Sequence, residues 1–152
     1  MPTGELIMRV LPWAFALLLQ ACAVQAIDNP DAADLLGDFR SRGTVYEQRV
    51  SDAAGGTASV ELGAQAEFLD AELNRAYSEL MTRLPESARQ ALRSSQRAWL
   101  KHRDAEAAFA AALWTREAFG SSAPLSQGLH QAQLERDRIE QLLGTLQTLP
   151  PE

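Results

Sequence analysis

The fold turns on residues 59–84, SVELGAQAEFLDAELNRAYSELMTRL, where Leu62, Ala66, Leu69, Leu73, Ala76, Leu80 and Leu84 recur at steps of three and four. Such steps place side chains on one face of an α-helix, so the stretch predicts a helix with a single apolar stripe. Pro85 ends it, because proline lacks an amide hydrogen and disfavours helix in the residue before it. A second stripe, Ala88, Leu92, Ser95, Trp99, His102, Phe109 and Leu113, predicts a helix near 86–118. Gly120-Ser121-Ser122-Ala123-Pro124 is the next stop. Ser126 is the expected cap of a third helix carrying Leu129, Ala132, Ile139, Leu142, Leu143 and Leu146, which Pro150 and Pro151 close. No alternating strand pattern of useful length is present. The expectation is an all-α fold, an antiparallel three-helix bundle in which the first two helices form a hairpin and the third is C-terminal.

Outside this region the chain reads differently. Arg9 precedes the ten-residue apolar run Val10–Leu19, which small residues follow, the layout of a secretory signal peptide over residues 1–26. The run is too short for a membrane span, which needs about 20 apolar residues. Two processing readings stay open. Val24-Gln25-Ala26 suits cleavage to a soluble periplasmic product beginning at Ile27, whereas Leu19-Gln20-Ala21-Cys22 resembles a lipobox whose Cys22 would carry a lipid anchor. Only the second places the protein on a membrane. Met8 is an alternative start to Met1 and would give a cleaner signal. Residues 27–58, broken by Asp28-Asn29-Pro30 and Gly55-Gly56-Thr57, read as a linker or N-terminal arm with a short helix within Asp31–Arg42, and residues 59–149 as the helical domain.

Composition excludes more than it assigns. With 20 Asp+Glu against 14 Lys+Arg and a formal charge of −6, the chain lacks the cationic excess with which nucleic-acid binders displace counterions, so no nucleic-acid partner is expected. Its single cysteine builds neither a zinc module nor a disulfide framework. Gly55-Gly56-Thr57 lacks the lysine of a phosphate-binding loop, and no G-x-S-x-G occurs. His102 and His130 lie in neither H-E-x-x-H nor Glu-x-x-His; His102 and Glu106, one turn apart, read as an ordinary helix contact rather than a metal pair. The expectation is a protein without catalytic residues, metal or cofactor.

Two side-chain groups stand out. Arg89, Arg93, Arg97 and Lys101 form a ridge at steps of four, read as a polar outer face paired with nearby acids; the competing reading is a surface for an anionic partner. Gln96, Trp99 and Arg103 share a face of the second helix, Asn74 and Tyr77 stand one turn apart on the first, and Asp104 is placed to bridge to Arg138 on the third. Trp and Tyr supply buried area, while the polar partners need satisfying once covered, so these residues read as a register-fixing network, with a recognition surface as the alternative.

The same residues carry a resemblance. Ala71-Glu72-Leu73-Asn74-Arg75-Ala76-Tyr77, Ser95-Gln96-Arg97-Ala98-Trp99 running on to Arg103-Asp104-Ala105-Glu106, and a weaker closing Arg138-Ile139-Glu140-Gln141-Leu142 are similar to the lysozyme inhibitor LprI-like N-terminal domain, over about residues 60–147. The resemblance implies Leu73, Asn74, Tyr77, Gln96, Trp99, Arg103, Asp104 and Arg138 as a structural signature. It also implies a non-enzymatic partner of a peptidoglycan hydrolase, as inhibitor or immunity factor, with contacts in a loop such as Phe119–Gly128. An envelope assembly helper docking another protein through its helices is the alternative. Members of that family usually carry a cysteine after Arg-Asp-x-Glu. A second usually stands early in the last helix. Here the first place is Ala107 and no cysteine follows Cys22, so if the resemblance implies a bridge between the two, a staple typically worth about 2–4 kcal/mol is absent and packing has to compensate.

Overall fold

The computed structural model describes residues 33–150; the signal-peptide reading, Met8 and Cys22 lie outside them. Four long helices, α1 (Leu35–Asp52), α2 (Thr57–Arg83), α3 (Glu86–Leu113) and α5 (Ala123–Gln147), are joined by short turns, with α4 (Arg116–Phe119) and a 3₁₀ turn (Gly120–Ser122) between α3 and α5. No strand occurs among the described residues. The all-α, antiparallel expectation holds, with a fourth long helix in place of the short one expected within Asp31–Arg42.

That extra helix is α1. The Asp34 carboxylate accepts a hydrogen bond from the Gly37 amide at 2.8 Å and caps the first turn, satisfying a donor that has no partner within the helix. Phe39, Gly43 and Val50 are its buried residues, one to two turns apart. The Phe68 ring of α2 stacks on Phe39 (6.0 Å between centroids) and on Tyr46 (4.5 Å). Arg40 grips Glu140 of α5 with two hydrogen bonds of 2.8 Å, Arg136 of α5 reaches Glu47 at 2.7 Å, and Arg42 reaches Glu72 of α2 at 2.9 Å. Much of the stretch expected as an arm is therefore a core helix. Its apolar stripe is sparse, because a glycine and arginines occupy places where leucines would have advertised it.

The centre of the molecule is the seam between α2 and α5. Leu69, Leu73, Ala76 and Leu80 of α2 meet Ile139, Leu142, Leu143 and Leu146 of α5 in one buried cluster that Phe39 completes. These two helices run parallel: a side chain on Gly128 would strike Leu62 near one end, and Arg83 donates to the Pro150 carbonyl at 2.6 Å near the other. α1 and α3 run antiparallel to α5, as the pairs Arg40–Glu140 and Glu106–His130 show. The closest packing is thus between alternate helices of an up-down-up-down series, with α1 sealing one side of the α2–α5 pair. α3 lies on the other side, chiefly against α5 and scarcely touching α2, and Ala110 is its only buried residue.

Two further boundaries differ from expectation. Trp114 and Thr115 interrupt the second predicted helix, where the Thr115 hydroxyl caps α4 by accepting from the Ala118 amide. The third begins at Ala123 rather than after a Ser126 cap, because Pro124 falls in the first turn, where its missing amide costs nothing. Phe119–Gly128 is consequently not an open loop but helix and 3₁₀ turn. Gln65, 3 % exposed, leaves its Oε1 without a partner among the described residues, beside a cavity of about 20 Å³ under α1.

Phe39→Ala is expected to cost about 3–5 kcal/mol in urea denaturation, the usual penalty for emptying a core aromatic site. A loss below about 0.5 kcal/mol, the range of a surface change, would place α1 outside the core.

Candidate functional site

Because α3 has few large side chains facing α5, a polar seam holds it. Arg138 of α5 is 7 % exposed, and its guanidinium donates to Gln96 Oε1 (3.1 Å) and Ser95 Oγ (3.1 Å) on α3, and to Gln141 Oε1 (2.6 Å) on its own helix. All three acceptors are neutral. Burial therefore lowers the Arg138 pKa from its ordinary value. Truncating such a group would strand its acceptors, so the network fixes the register of α3 more than it adds net stability.

One turn further along, the Arg103 guanidinium lies 5.5 Å from the Trp99 ring centroid, within range of a cation–π contact. It also reaches Asp104 at 3.4 Å and Glu135 of α5 at 3.9 Å. Glu135 is largely covered. Burial raises its pKa, and the nearby Asp70 carboxylate pushes the same way; the Gln131 amide and Arg103 offset this only in part. Asp70 in turn accepts from Asn74 Nδ2 at 3.1 Å. Beyond them, His130 Nε2 meets Glu106 at 3.1 Å and the His130 ring tilts against Trp114 at 5.5 Å, whose carbonyl accepts from Gln127 at 2.6 Å. Between α3 and α5 an open groove of about 340 Å³ is lined by Trp99, His102, Leu134, Asp137, Arg138 and Gln141.

The singled-out residues thus divide. Gln96, Trp99, Arg103 and Arg138 converge on the α3–α5 seam. Leu73 is core, Tyr77 packs half-buried against it, and Asn74 is exposed on α2. The expected Asp104–Arg138 bridge is not formed: the Asp104 side chain is 72 % exposed and turns to Arg103, while Gln96, Ser95 and Gln141 occupy Arg138. Cys22 lies outside the described residues. His102 and Glu106 do not pair, since Glu106 crosses to His130, and no group of three metal-binding side chains occurs among the described residues. Among the described residues the basic ridge is ion-paired only at its start, where Arg89 and Arg93 reach Glu86 at 2.8 and 3.4 Å and hold its carboxyl below the usual range, with Gln90 contributing. Arg97 donates to Ser94. Phe109 and Leu113, expected within the apolar stripe, are about half exposed, because α3 turns the face of Gln96, Trp99, Arg103 and Ala110 inward instead.

The family described as lysozyme inhibitor LprI matches residues 50–142, from the end of α1 into α5. The chain belongs to that family. The match takes in α2, α3 and most of α5, and with them the whole Gln96–Arg103–Arg138 seam, whereas Leu35–Arg49 of α1 precedes it. No curated protein and no solved structure matched the chain.

Glu135 supplies a pH test. A carboxyl whose folded pKa is raised binds more protons in the native state than unfolded between its ordinary value, 4.5, and the raised one, so its contribution falls as pH rises through that window. Glu135→Gln is expected to raise Tm by a few degrees at pH 7, and the gain should vanish once the pH falls below the ordinary carboxylate range. A variant less stable than wild type at pH 7 would mean that the Arg103 pair outweighs burial.

Proposed function

We propose that this protein is a non-catalytic envelope protein that binds and inhibits a lysozyme-type peptidoglycan hydrolase. The observation that carries the reading is membership of the lysozyme inhibitor LprI family across α2, α3 and most of α5, the α3–α5 seam included. The chemistry agrees with it. The polar groups on the seam are spent on one another: Arg138 on amide and hydroxyl oxygens, Arg103 on Trp99 and two carboxylates, Glu106 on His130. That is the pattern of side chains that fix a scaffold rather than of an acid and base aimed at a substrate. The amino-terminal segment supports export, with a soluble periplasmic product after Ala26 and a lipid-anchored one through Cys22 as its two forms. An acidic inhibitor is suited to a basic hydrolase, whose approach it accelerates at low salt.

The test is a peptidoglycan-clearing assay. The purified protein at micromolar concentration should slow clearing by at least one muramidase, with a stoichiometric end point, and should release no fragments when added alone. Unchanged clearing by several muramidases would reject inhibition. Fragment release by the protein alone would reject a non-catalytic role. Mass spectrometry of the envelope form is expected to find an N-terminus at Ile27; a diacylated Cys22 would replace the soluble form with the anchored one.

A further inference from the structure

Among the described residues, most of the large apolar side chains that stand exposed gather at one end of the bundle. Val60 opens α2, Phe109 and Leu113 close α3, Phe119 is on α4 and Leu129 lies in the second turn of α5; Val60 is 68 % and Phe109 55 % exposed. Contacts across the helices fix them at a common end. Gly128 lies against Leu62, Glu106 meets His130, and Trp114 is held by Gln127 and His130. Among soluble proteins such concentrations of uncovered apolar surface mark interaction sites.

The charge surrounding them states what kind of partner fits. Residues 52–67 carry three carboxylates and no lysine or arginine, and residues 104–130 carry three carboxylates against Arg116 alone. The remaining described residues hold ten carboxylates and twelve Lys+Arg. The charge is thus split along the bundle axis, negative around the exposed apolar side chains and positive over the rest. An anionic lipid surface would repel this end; a cationic protein surface would be drawn to it and then bury the apolar side chains.

We infer that the end formed by Val60, Phe109, Leu113, Phe119 and Leu129 is the docking surface of this protein, and that its partner is the basic face of the hydrolase. The inference rests on the inhibitor reading above and adds the place of contact. The apolar side chains supply the dehydrated centre of the interface, and the carboxylates around them supply steering and the polar rim. The α3–α5 groove and the Arg89–Lys101 ridge lie outside it.

The test measures binding of the full chain to a strongly basic c-type lysozyme by surface plasmon resonance at low and high salt. Phe109→Ser with Leu113→Ser and Phe119→Ser should weaken binding at least tenfold, through dissociation. Glu61→Gln with Glu67→Gln and Glu117→Gln should slow association several-fold at low salt and little at high salt. Arg89→Ala with Arg93→Ala should leave affinity unchanged, and circular dichroism of each variant should match wild type. If any variant loses helix content, the single exchange Phe109→Ser is read instead, with a threefold weakening expected. Wild-type binding that both sets of variants retain would overturn the surface and leave the inhibitor reading standing. Wild-type failure to bind this lysozyme or any other basic muramidase would overturn both. Co-sedimentation with vesicles of anionic phospholipid, lost in the Phe109, Leu113 and Phe119 variant, would assign this end to a membrane and overturn the proposal.

Discussion

The structure depends on the contact between α2 and α5. Leucines and alanines spaced at three and four on α2, and Ile139, Leu142, Leu143 and Leu146 on α5, remove most of the buried apolar surface from water, and burial of this kind is the dominant favourable term in folding. Every other helix is positioned relative to that pair. α1 joins it through Phe39 and three inter-helix ion pairs; α3 joins it through hydrogen bonds more than through apolar contact. The bundle is therefore unequal, with a dry three-helix core and a fourth helix held on a wet seam.

That inequality explains how the molecule does without a disulfide after Cys22. With no cysteine after Cys22, α3 is tied to α5 by Glu106–His130 and the Arg138 cluster. Exposed ion pairs contribute about 0–1 kcal/mol each, less than a typical bridge, so α1 matters more in this chain than the matched region alone would indicate. Glu72 illustrates the arrangement. Burial works against its charge, but the guanidinium groups of Arg42 and Arg75 outweigh that and keep its carboxyl below the usual range. The α1–α2 tie is thus fully formed at neutral pH and weakens as acid protonates the carboxylate.

The α2 and α5 helices were legible in the sequence because their apolar spacing is dense and regular, and Pro85 punctuates it. α1 was only partly legible: Phe39, Gly43, Tyr46 and Val50 follow the helical period, but the arginines between them and a glycine within the stripe dilute the pattern. The inward face of α3 was legible at Trp99 and misleading beyond it, since a periodic apolar side chain such as Phe109 is buried only if another element comes to cover it. The polar seam was half legible. Gln96 and Arg103 share a helical face by spacing alone, whereas the partners of Arg138 depend on the register of two helices about forty residues apart, which no local pattern encodes. The burial of Glu135 carried no sequence signal, because exposed and buried glutamates look alike until a neighbouring helix arrives.

Native-state hydrogen exchange measures this hierarchy directly, because it resolves the free energy of opening for each helix. Amides of Leu69–Leu80 and Ile139–Leu146 should exchange only through global unfolding, and those of Leu92–Arg103 through a separate opening of lower free energy. Equal protection across α3 and the α2–α5 pair, or slowest exchange in α3, would contradict the account.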